Sequence, residues 1–493
     1  MNKRASGILM HISSLPGEYG IGDFGKNAYK FVDFLNRSKQ SYWQILPLSI
    51  TTFGDSPYQS VSAFAGNPYF IDLDEFLKDE YLSQEDIVKT DFGNDPNYVD
   101  FGKLYKNKMW LLRKAYRNSR DSIMDSLIDF YNEEKDWLRD FALYMALKNE
   151  NKGKPWHKWP REYKFYNSSK LMEFEKENQN EIYFWIFTQY YFTKQWLQLK
   201  TYANNKGIKI IGDLPIYVAG DSADCFANPE FFNMDEELEP KTVAGVPPDA
   251  FSDDGQLWGN PIYDWDTLED HGYSWWIRRF KHSFKLFDTL RVDHFRGFDA
   301  YWEVKYGENT AVKGQWVKGP GIKFFNKIKE ELGELDIIAE DLGVNSEGLT
   351  KLIEETGFPN MKILQFAFDT EDSAFLPHNY DKNCVAYIGT HDNHPIMAWF
   401  ETSSKHEYEY AIKYFKLDEE EGLNWGMIRG LWGSPAYLTI AQIQDLLGLG
   451  EVSRMNEPST LGNNWTWRMS AALLTDELEN KIADLTKLYG REK

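Results

Sequence analysis

Short apolar runs alternate along most of this chain with amphipathic segments, and that rhythm constrains the fold more than any other feature. Gly7 to Ile12, Tyr42 to Leu46, Ile208 to Ile211, Thr289 to Val292, Asp336 to Ala339, Met361 to Phe366 and Val385 to Ile388 each read as a buried parallel strand, because a strand covered on both faces is continuously apolar. Between them lie helical patterns at Asn27 to Ser38, Tyr183 to Asn204, Trp275 to Phe287, Ile322 to Leu332 and Ser346 to Glu355. The alternation predicts βαβ units. With an eighth strand expected near Ala436 to Ile440, the economical closure is an α/β fold of the (β/α)8 TIM-barrel type, although an open doubly wound sheet satisfies the same pattern.

Two stretches break the rhythm. From about Leu73 to Asn180 the segments are helix-like and charge-rich (Lys103 to Arg117, Arg120 to Asn132, Glu134 to Asn149), which predicts a helical insertion between early strands of one barrel spanning residues 1–493. Asp221 to Asp266 is rich in Pro, Gly, Asp and aromatics, too long for an idle connection, and reads as a functional loop region over the barrel mouth. From Thr402 onward the pattern is again helical, ending in a polar tail at Gly490 to Lys493.

Charge narrows the partners. Acidic residues outnumber basic ones, 76 to 55, for a net charge of −21, so a nucleic acid or an anionic membrane is an unfavourable partner. Cys225 and Cys384 are the only cysteines, too few for a disulfide framework or a four-thiolate metal site. Met1 to Met10 lacks a signal-peptide core, and no run approaches the roughly 18 apolar residues of a membrane span. The expectation is a soluble, cytoplasmic protein. Aromatic residues make up 16% of the chain; they suit a cleft for sugar rings, but composition alone favours the filling of a large core.

Acidic residues recur just after strand runs: Asp213, Asp293, Glu340 and Asp392. In a (β/α)8 barrel the strand C-termini converge on the face that holds the active site, so these four carboxylates are expected to share one pocket. A single acid at a strand end is as readily a helix cap. Side-chain alternation aims Arg291 and Asp293 the same way, where the guanidinium favours an ionised, nucleophilic carboxylate. The same alternation sends Glu340 and Asp341 to opposite sides. Crowding by Asp293 and Asp392 is expected to raise the pKa of Glu340, as a general acid near neutrality requires. Two carboxylates with opposed roles are the arrangement that glycoside cleavage uses. His391, Asp392 and His394 are close enough in sequence for metal ligation, but no metal-binding spacing surrounds them, and hydrogen bonding to sugar hydroxyls is the favoured reading for His391. No dinucleotide fingerprint or phosphate loop occurs, so no cofactor and no metal are expected.

Longer motifs carry a resemblance. Ser56-Pro57-Tyr58-Gln59-Ser60, Ser62 to Pro68, Gly212-Asp213-Leu214-Pro215-Ile216-Tyr217-Val218, Asp221-Ser222-Ala223-Asp224, Gly245-Val246-Pro247-Pro248-Asp249, Leu257-Trp258-Gly259-Asn260-Pro261, Arg291 to Gly297, Ala339-Glu340-Asp341-Leu342-Gly343 and Gly389-Thr390-His391-Asp392-Asn393 together resemble the amylomaltases, the 4-α-glucanotransferases or disproportionating enzymes of the α-amylase superfamily. The resemblance implies a retaining mechanism with Asp293 as nucleophile, Glu340 as acid and base, and Asp392 holding sugar hydroxyls and favouring distortion. It also implies that Arg291, His294 and His391 line the donor site, that Asp213 supports it, that Tyr58 and Trp258 contact the glucan, that Pro247 to Trp258 forms a lid, and that Asn464 lies on the acceptor side. The implied partners are α-1,4-glucans and maltooligosaccharides. The sequence departs from the family pattern at His394-Pro395, where Asp-Thr is commoner, and at Ser459, where Gly is commoner; a positive φ there would carry a small strain cost. An α-amylase-type hydrolase with the same carboxylates and a non-catalytic glucan-binding protein are the alternative readings.

Overall fold

The computed structural model describes residues 3–492 except 53, 167, 249–251 and 344–345. The described residues form the strands β1 (Ala5–Leu9), β2 (Tyr42–Gln44), β3 (Lys209–Leu214), β4 (Thr242–Val246), β5 (Gln256–Pro261), β6 (Thr289–Val292), β7 (Ala300–Lys305), β8 (Gly314–Lys318), β9 (Ile337–Ala339), β10 (Asn360–Ile363), β11 (Cys384–Tyr387) and β12 (Leu438–Gln442). Eight of them close a parallel barrel in the order β1-β12-β11-β10-β9-β6-β3-β2. All eight apolar runs singled out in the sequence supply these strands, so the barrel closes and the open-sheet alternative falls. Their residues are buried almost throughout, from Ile8 and Trp43 to Val385 and Leu438, as expected of strands covered by helices outside and packed against one another inside.

The remaining four strands form a separate antiparallel sheet in the order β5-β4-β7-β8. Two of them arise inside the stretch 221–266 that reads as irregular, where Gly and Pro interrupt the alternation that marks a strand. A small cluster of Val243, Val304 and Ala311 packs on this sheet.

Between β2 and β3 the chain builds helices, dominated by Met109–Glu150 and Gln179–Asn205. The three helical segments of the sequence pattern between Lys103 and Asn149 run together: Met109–Glu150 is one helix of 42 residues, with no Pro or Gly to break it. Its Tyr144 and Lys148 donate to the Asp221 carboxylate at 2.7 and 2.6 Å. The second helix clamps the Ser62 to Pro68 segment, since the buried Gln189 amide accepts from Gly66 N at 2.8 Å and donates to its carbonyl at 2.9 Å. Gly66 is required there, because a Cβ would lie 2.1 Å from the Phe192 ring.

Most of the aromatic residues fill the interior: Trp43, Trp156, Trp196, Trp275, Trp276 and Trp432 are among the largest fully buried side chains. Cys225 and Cys384 are buried free thiols. Among the described residues no helix is long and apolar enough to cross a membrane. The polar tail contains one residue that belongs to the core, Arg491, which is fully buried; burial follows from the carbonyl oxygens that its guanidinium satisfies at the barrel seam. Lys493 lies outside the described residues.

Candidate active site

Register places the acidic residues. β3 and β6 pair with Asp213 opposite Arg291, and β6 and β9 pair with Val292 opposite Ala339, so Asp293 and Glu340 each stand one residue beyond a paired position. The strand ends are locked by main-chain bonds: Asp293 N donates to Leu214 O at 3.0 Å and Glu340 N to Val292 O at 3.1 Å.

Arg291 is the hub. Its Nη1 lies 2.7 Å from Asp213 Oδ2 and 3.0 Å from Asp293 Oδ1, so one guanidinium nitrogen serves both carboxylates. Burial alone would lower the Arg291 pKa, but Asp213 and then Asp293 outweigh it and hold the group firmly protonated. Asp213 lies within β3 rather than after it, with its side chain fully enclosed, and accepts a further bond from Tyr58 Oη at 2.8 Å. The Asp293 side chain remains 28% exposed. Asp293 is thus open to a ligand while its charge is balanced from behind.

Glu340 is held differently. Its Oε2 accepts from His294 N at 2.7 Å and its Oε1 from Leu342 N at 3.0 Å, and the residue is only 8% exposed. Burial, opposed by Arg291 and reinforced by Asp293, pushes its pKa from 4.5 to about 7. The direction matches the sequence argument, but burial is the leading cause rather than crowding, and the Asp392 carboxylate is engaged elsewhere. Asp341 turns away, accepting from Asn360 Nδ2 at 3.2 Å and Met361 N at 3.1 Å.

His294 has left-handed dihedrals, φ 48° and ψ 49°, which turn the chain sharply after Asp293 and present its N–H to Glu340. Burial lowers its pKa to about 4, so the ring is neutral near pH 7. Trp258, on β5, packs edge-on against that ring with centroids 4.8 Å apart. Of the lid segment Pro247 to Trp258, Asp249, Ala250 and Phe251 lie outside the described residues.

On the opposite side, His391 stacks on Tyr58 with centroids 5.2 Å apart and ring planes 16° from parallel. Its Nε2 is 3.5 Å from Asp392 Oδ1. The Asp392 carboxylate, 44% exposed, accepts from Asn456 Nδ2 at 2.6 Å. A continuous set of contacts therefore runs from Asp392 through His391, Tyr58, Asp213 and Arg291 to Asp293, and joins the barrel-strand ends on one face. His394 points out of this set, its Nδ1 2.6 Å from Glu451 Oε2. Among the described residues no group of three or more His, Cys, Asp or Glu side chains is placed to hold a metal ion.

The Asn464 side chain is spent within its own loop: Oδ1 accepts from Glu457 N at 3.0 Å and Nδ2 donates to Thr460 Oγ1 at 3.1 Å. The neighbouring Trp465 instead reaches the ring stack, 5.7 Å from His391 and 5.8 Å from Tyr58. Asn456 and Trp465 carry no sequence signal of their own, since neither stands at a strand end; only the nearby Ser459 and Asn464 draw attention to their segment. Ser459 adopts φ 67°, the positive value at which the sequence departure carries strain. Pro395 is accommodated as the residue before helix Ile396–Thr402, whose first N–H donates to the buried Asp445 carboxylate at 2.7 Å.

Comparison with known proteins places the chain. Residues 10–475 match the 4-alpha-glucanotransferase family. The 4-alpha-glucanotransferase of Clostridium butyricum is 53% identical over 485 residues, covering 98% of this chain and 100% of that protein. That of Thermus thermophilus is 45% identical, covering 96% of each. The structure of the amylomaltase from Streptococcus agalactiae in complex with acarbose superposes with a TM-score of 0.97 at 45% identity, covering 100% of both chains. The amylomaltase from Corynebacterium glutamicum, at 18% identity and a TM-score of 0.79 over 98% of this chain and 75% of that one, shares the fold. A family match over residues 10–475, relatives at about half identity over nearly the whole chain and the same closed barrel together mean that the chain belongs to the 4-alpha-glucanotransferase family.

Proposed function

We propose that the protein transfers α-1,4-glucan segments between maltooligosaccharides by a retaining double displacement at Asp293, Glu340 and Asp392. In the first step an Asp293 oxygen attacks the anomeric carbon of the donor while Glu340 gives its proton to the departing glycosidic oxygen, leaving a glucosyl ester on Asp293 and an ionised Glu340. In the second step Glu340 takes a proton from the 4-hydroxyl of an acceptor glucan, which displaces Asp293 and restores both groups. The two inversions give net retention. Asp392 accepts hydrogen bonds from donor hydroxyls as the ring flattens, and the neutral His294 and the His391 ring bind beside it. Trp258 and Tyr58 offer faces for glucose rings. In this reading an aromatic-rimmed mouth excludes water, so that a sugar hydroxyl intercepts the ester.

The observation that carries the reading is the contrast between the two neighbouring carboxylates. Asp293 is paired with Arg291 and open to the cleft, whereas Glu340 is enclosed and has its pKa raised to about 7, the division of labour between nucleophile and acid. The acarbose bound to the Streptococcus agalactiae neighbour supports a cleft made for an oligosaccharide.

An α-maltosyl fluoride separates the roles, since fluoride leaves without a proton. Glu340→Gln is expected to lose about 100- to 10,000-fold in turnover of maltotriose, yet to accumulate a glycosyl ester on Asp293 from the fluoride, visible by mass spectrometry. Asp293→Asn is expected to form no ester from either donor. Full activity of Asp293→Asn on the fluoride would remove the assignment.

A further inference from the structure

The segment Glu451 to Asn456 lies outside the barrel strands, yet it holds Asp392 at two points and the preceding His391 at a third. Asn456 N donates to His391 O at 3.1 Å, Asn456 Nδ2 donates to Asp392 Oδ1 at 2.6 Å, and Arg454 Nη2 donates to Asp392 O at 3.0 Å. The same guanidinium closes the loop, because Arg454 Nε donates to Asn456 O at 2.9 Å. One planar group therefore fixes the main chain on both sides of the 2.6 Å bond. Its own orientation is set at the far end, where Nη1 donates to Glu451 Oε1 at 3.2 Å.

His394 completes that far end. Its Nδ1 lies 2.6 Å from Glu451 Oε2, a contact that requires the proton on Nδ1, since a carboxylate only accepts. Arg454 Nη1, 3.2 and 3.4 Å from the two ring nitrogens, is a donor only. Its approach to Nδ1 is therefore a contact of charge with ring rather than a second hydrogen bond. Glu451 is thereby shared between His394 and Arg454, and its two oxygens are both occupied.

The turn that carries Asp392 is closed from within, Asn393 N donating to Thr390 O at 3.1 Å and Asp392 N to Thr390 Oγ1 at 3.4 Å, but neither bond reaches the carboxylate. The Asp392 side chain is 44% exposed and its other near neighbour, His391 Nε2, stands 3.5 Å away. Asp293 and Glu340 follow directly on β6 and β9 and inherit the rigidity of the barrel, whereas Asp392 lies five residues beyond the end of β11 at Tyr387. A carboxylate that far past its strand needs an external brace to meet a distorted sugar in a fixed place.

We infer that Arg454 and Asn456 are positioning residues for Asp392, with Glu451 and His394 anchoring Arg454, so that the clamp sets the turnover of the transfer reaction rather than the affinity for glucan. The inference rests on the role proposed above for Asp392. A guanidinium is needed rather than an ammonium, because two main-chain carbonyls must be met at once from one rigid plane.

The test uses the full chain with maltotriose as donor and acceptor, reading kcat, KM and the melting temperature. Arg454→Ala and Asn456→Ala are each expected to lower kcat by about ten- to a hundredfold, the order of loss from a small misplacement of a reacting group, with KM within about threefold of wild type. The double variant is expected to be no slower than the slower single one, because both act through the same carboxylate. Arg454→Lys keeps the charge but meets only one carbonyl, so it is expected to fold as wild type and still lose kcat; it decides the matter should Arg454→Ala fail to fold. Wild-type kcat in Arg454→Lys or Asn456→Ala, losses that multiply in the double variant, or a loss confined to KM would each overturn the inference. Failure of the wild-type protein to lengthen maltotriose would instead strike the glucanotransferase reading itself.

Discussion

Keeping Glu340 protonated near neutrality works against the fold, and the sign of that effect is testable at a single residue. Between pH 4.5 and about 7 the native protein retains a proton on Glu340 that the unfolded chain releases. Stability contributed by this group therefore falls as pH rises through that window, by up to about 3 kcal/mol at 1.36 kcal/mol per pKa unit. Glu340→Gln abolishes the titration. Urea unfolding at pH 5 and pH 9 is expected to shift the stability difference in favour of the variant at the higher pH; a pH-independent difference would show that Glu340 titrates normally. Sequence spacing made the positions of Asp293 and Glu340 legible, because each stands one residue past a strand. It did not make the cause of the Glu340 shift legible, since crowding can be guessed from neighbouring motifs but burial depends on how His294 and Leu342 fold over the carboxylate.

At the scale of the element, the loop after Asn456 is where the local chain is strained. Ser459, Asn463 and Trp465 all have positive φ, at 67°, 59° and 65°, and the Asn464 side chain ties the turn together from within. A non-Gly residue in the left-handed region costs on the order of 1 kcal/mol. Ser459→Gly is accordingly expected to leave stability unchanged or raise it by up to about 1 kcal/mol, and Ser459→Val to lower it by more than about 1 kcal/mol, as measured by thermal unfolding; equal stability of the two variants would contradict the strain. The Gly-to-Ser departure was legible in the sequence, and so were the barrel strands, whose continuous apolar runs have one reading in a parallel sheet. The β4-β5-β7-β8 sheet was not. Its strands are half exposed and interrupted by Gly245 and Gly259, so neither alternation nor an apolar run announces them. The intra-loop bonds of Asn464 were not legible either, because a motif says which residues are adjacent but not which way an amide turns.

For the whole molecule, closure of the barrel brings the first strand against the last. β1 pairs with β12 from Ala5 opposite Leu438, and the seam is stitched by Arg491, which donates to Trp432 O at 2.8 Å and to Ala5 O, Ala436 O and Ser434 O at 3.0 Å each. Burial lowers the Arg491 pKa only to about 9, so the group stays charged near neutrality. Arg491→Ala removes the guanidinium donor from the Ala5, Ser434 and Ala436 carbonyls, Trp432 O keeping its bond from Arg4 Nη2 at 2.8 Å, and is expected to cost about 3 kcal/mol of stability, read as a lowered urea midpoint with kcat at low temperature unchanged; an unchanged midpoint would mean that the seam holds without it. The activity proposed for the whole molecule is bond exchange without net hydrolysis. The most direct measurement is incubation of the purified protein with maltotriose while following both chain-length distribution and total reducing ends. A ladder of longer glucans beside glucose at constant reducing ends is the predicted result, and reducing ends that climb with no longer products would contradict it, leaving the same carboxylates to serve a hydrolase.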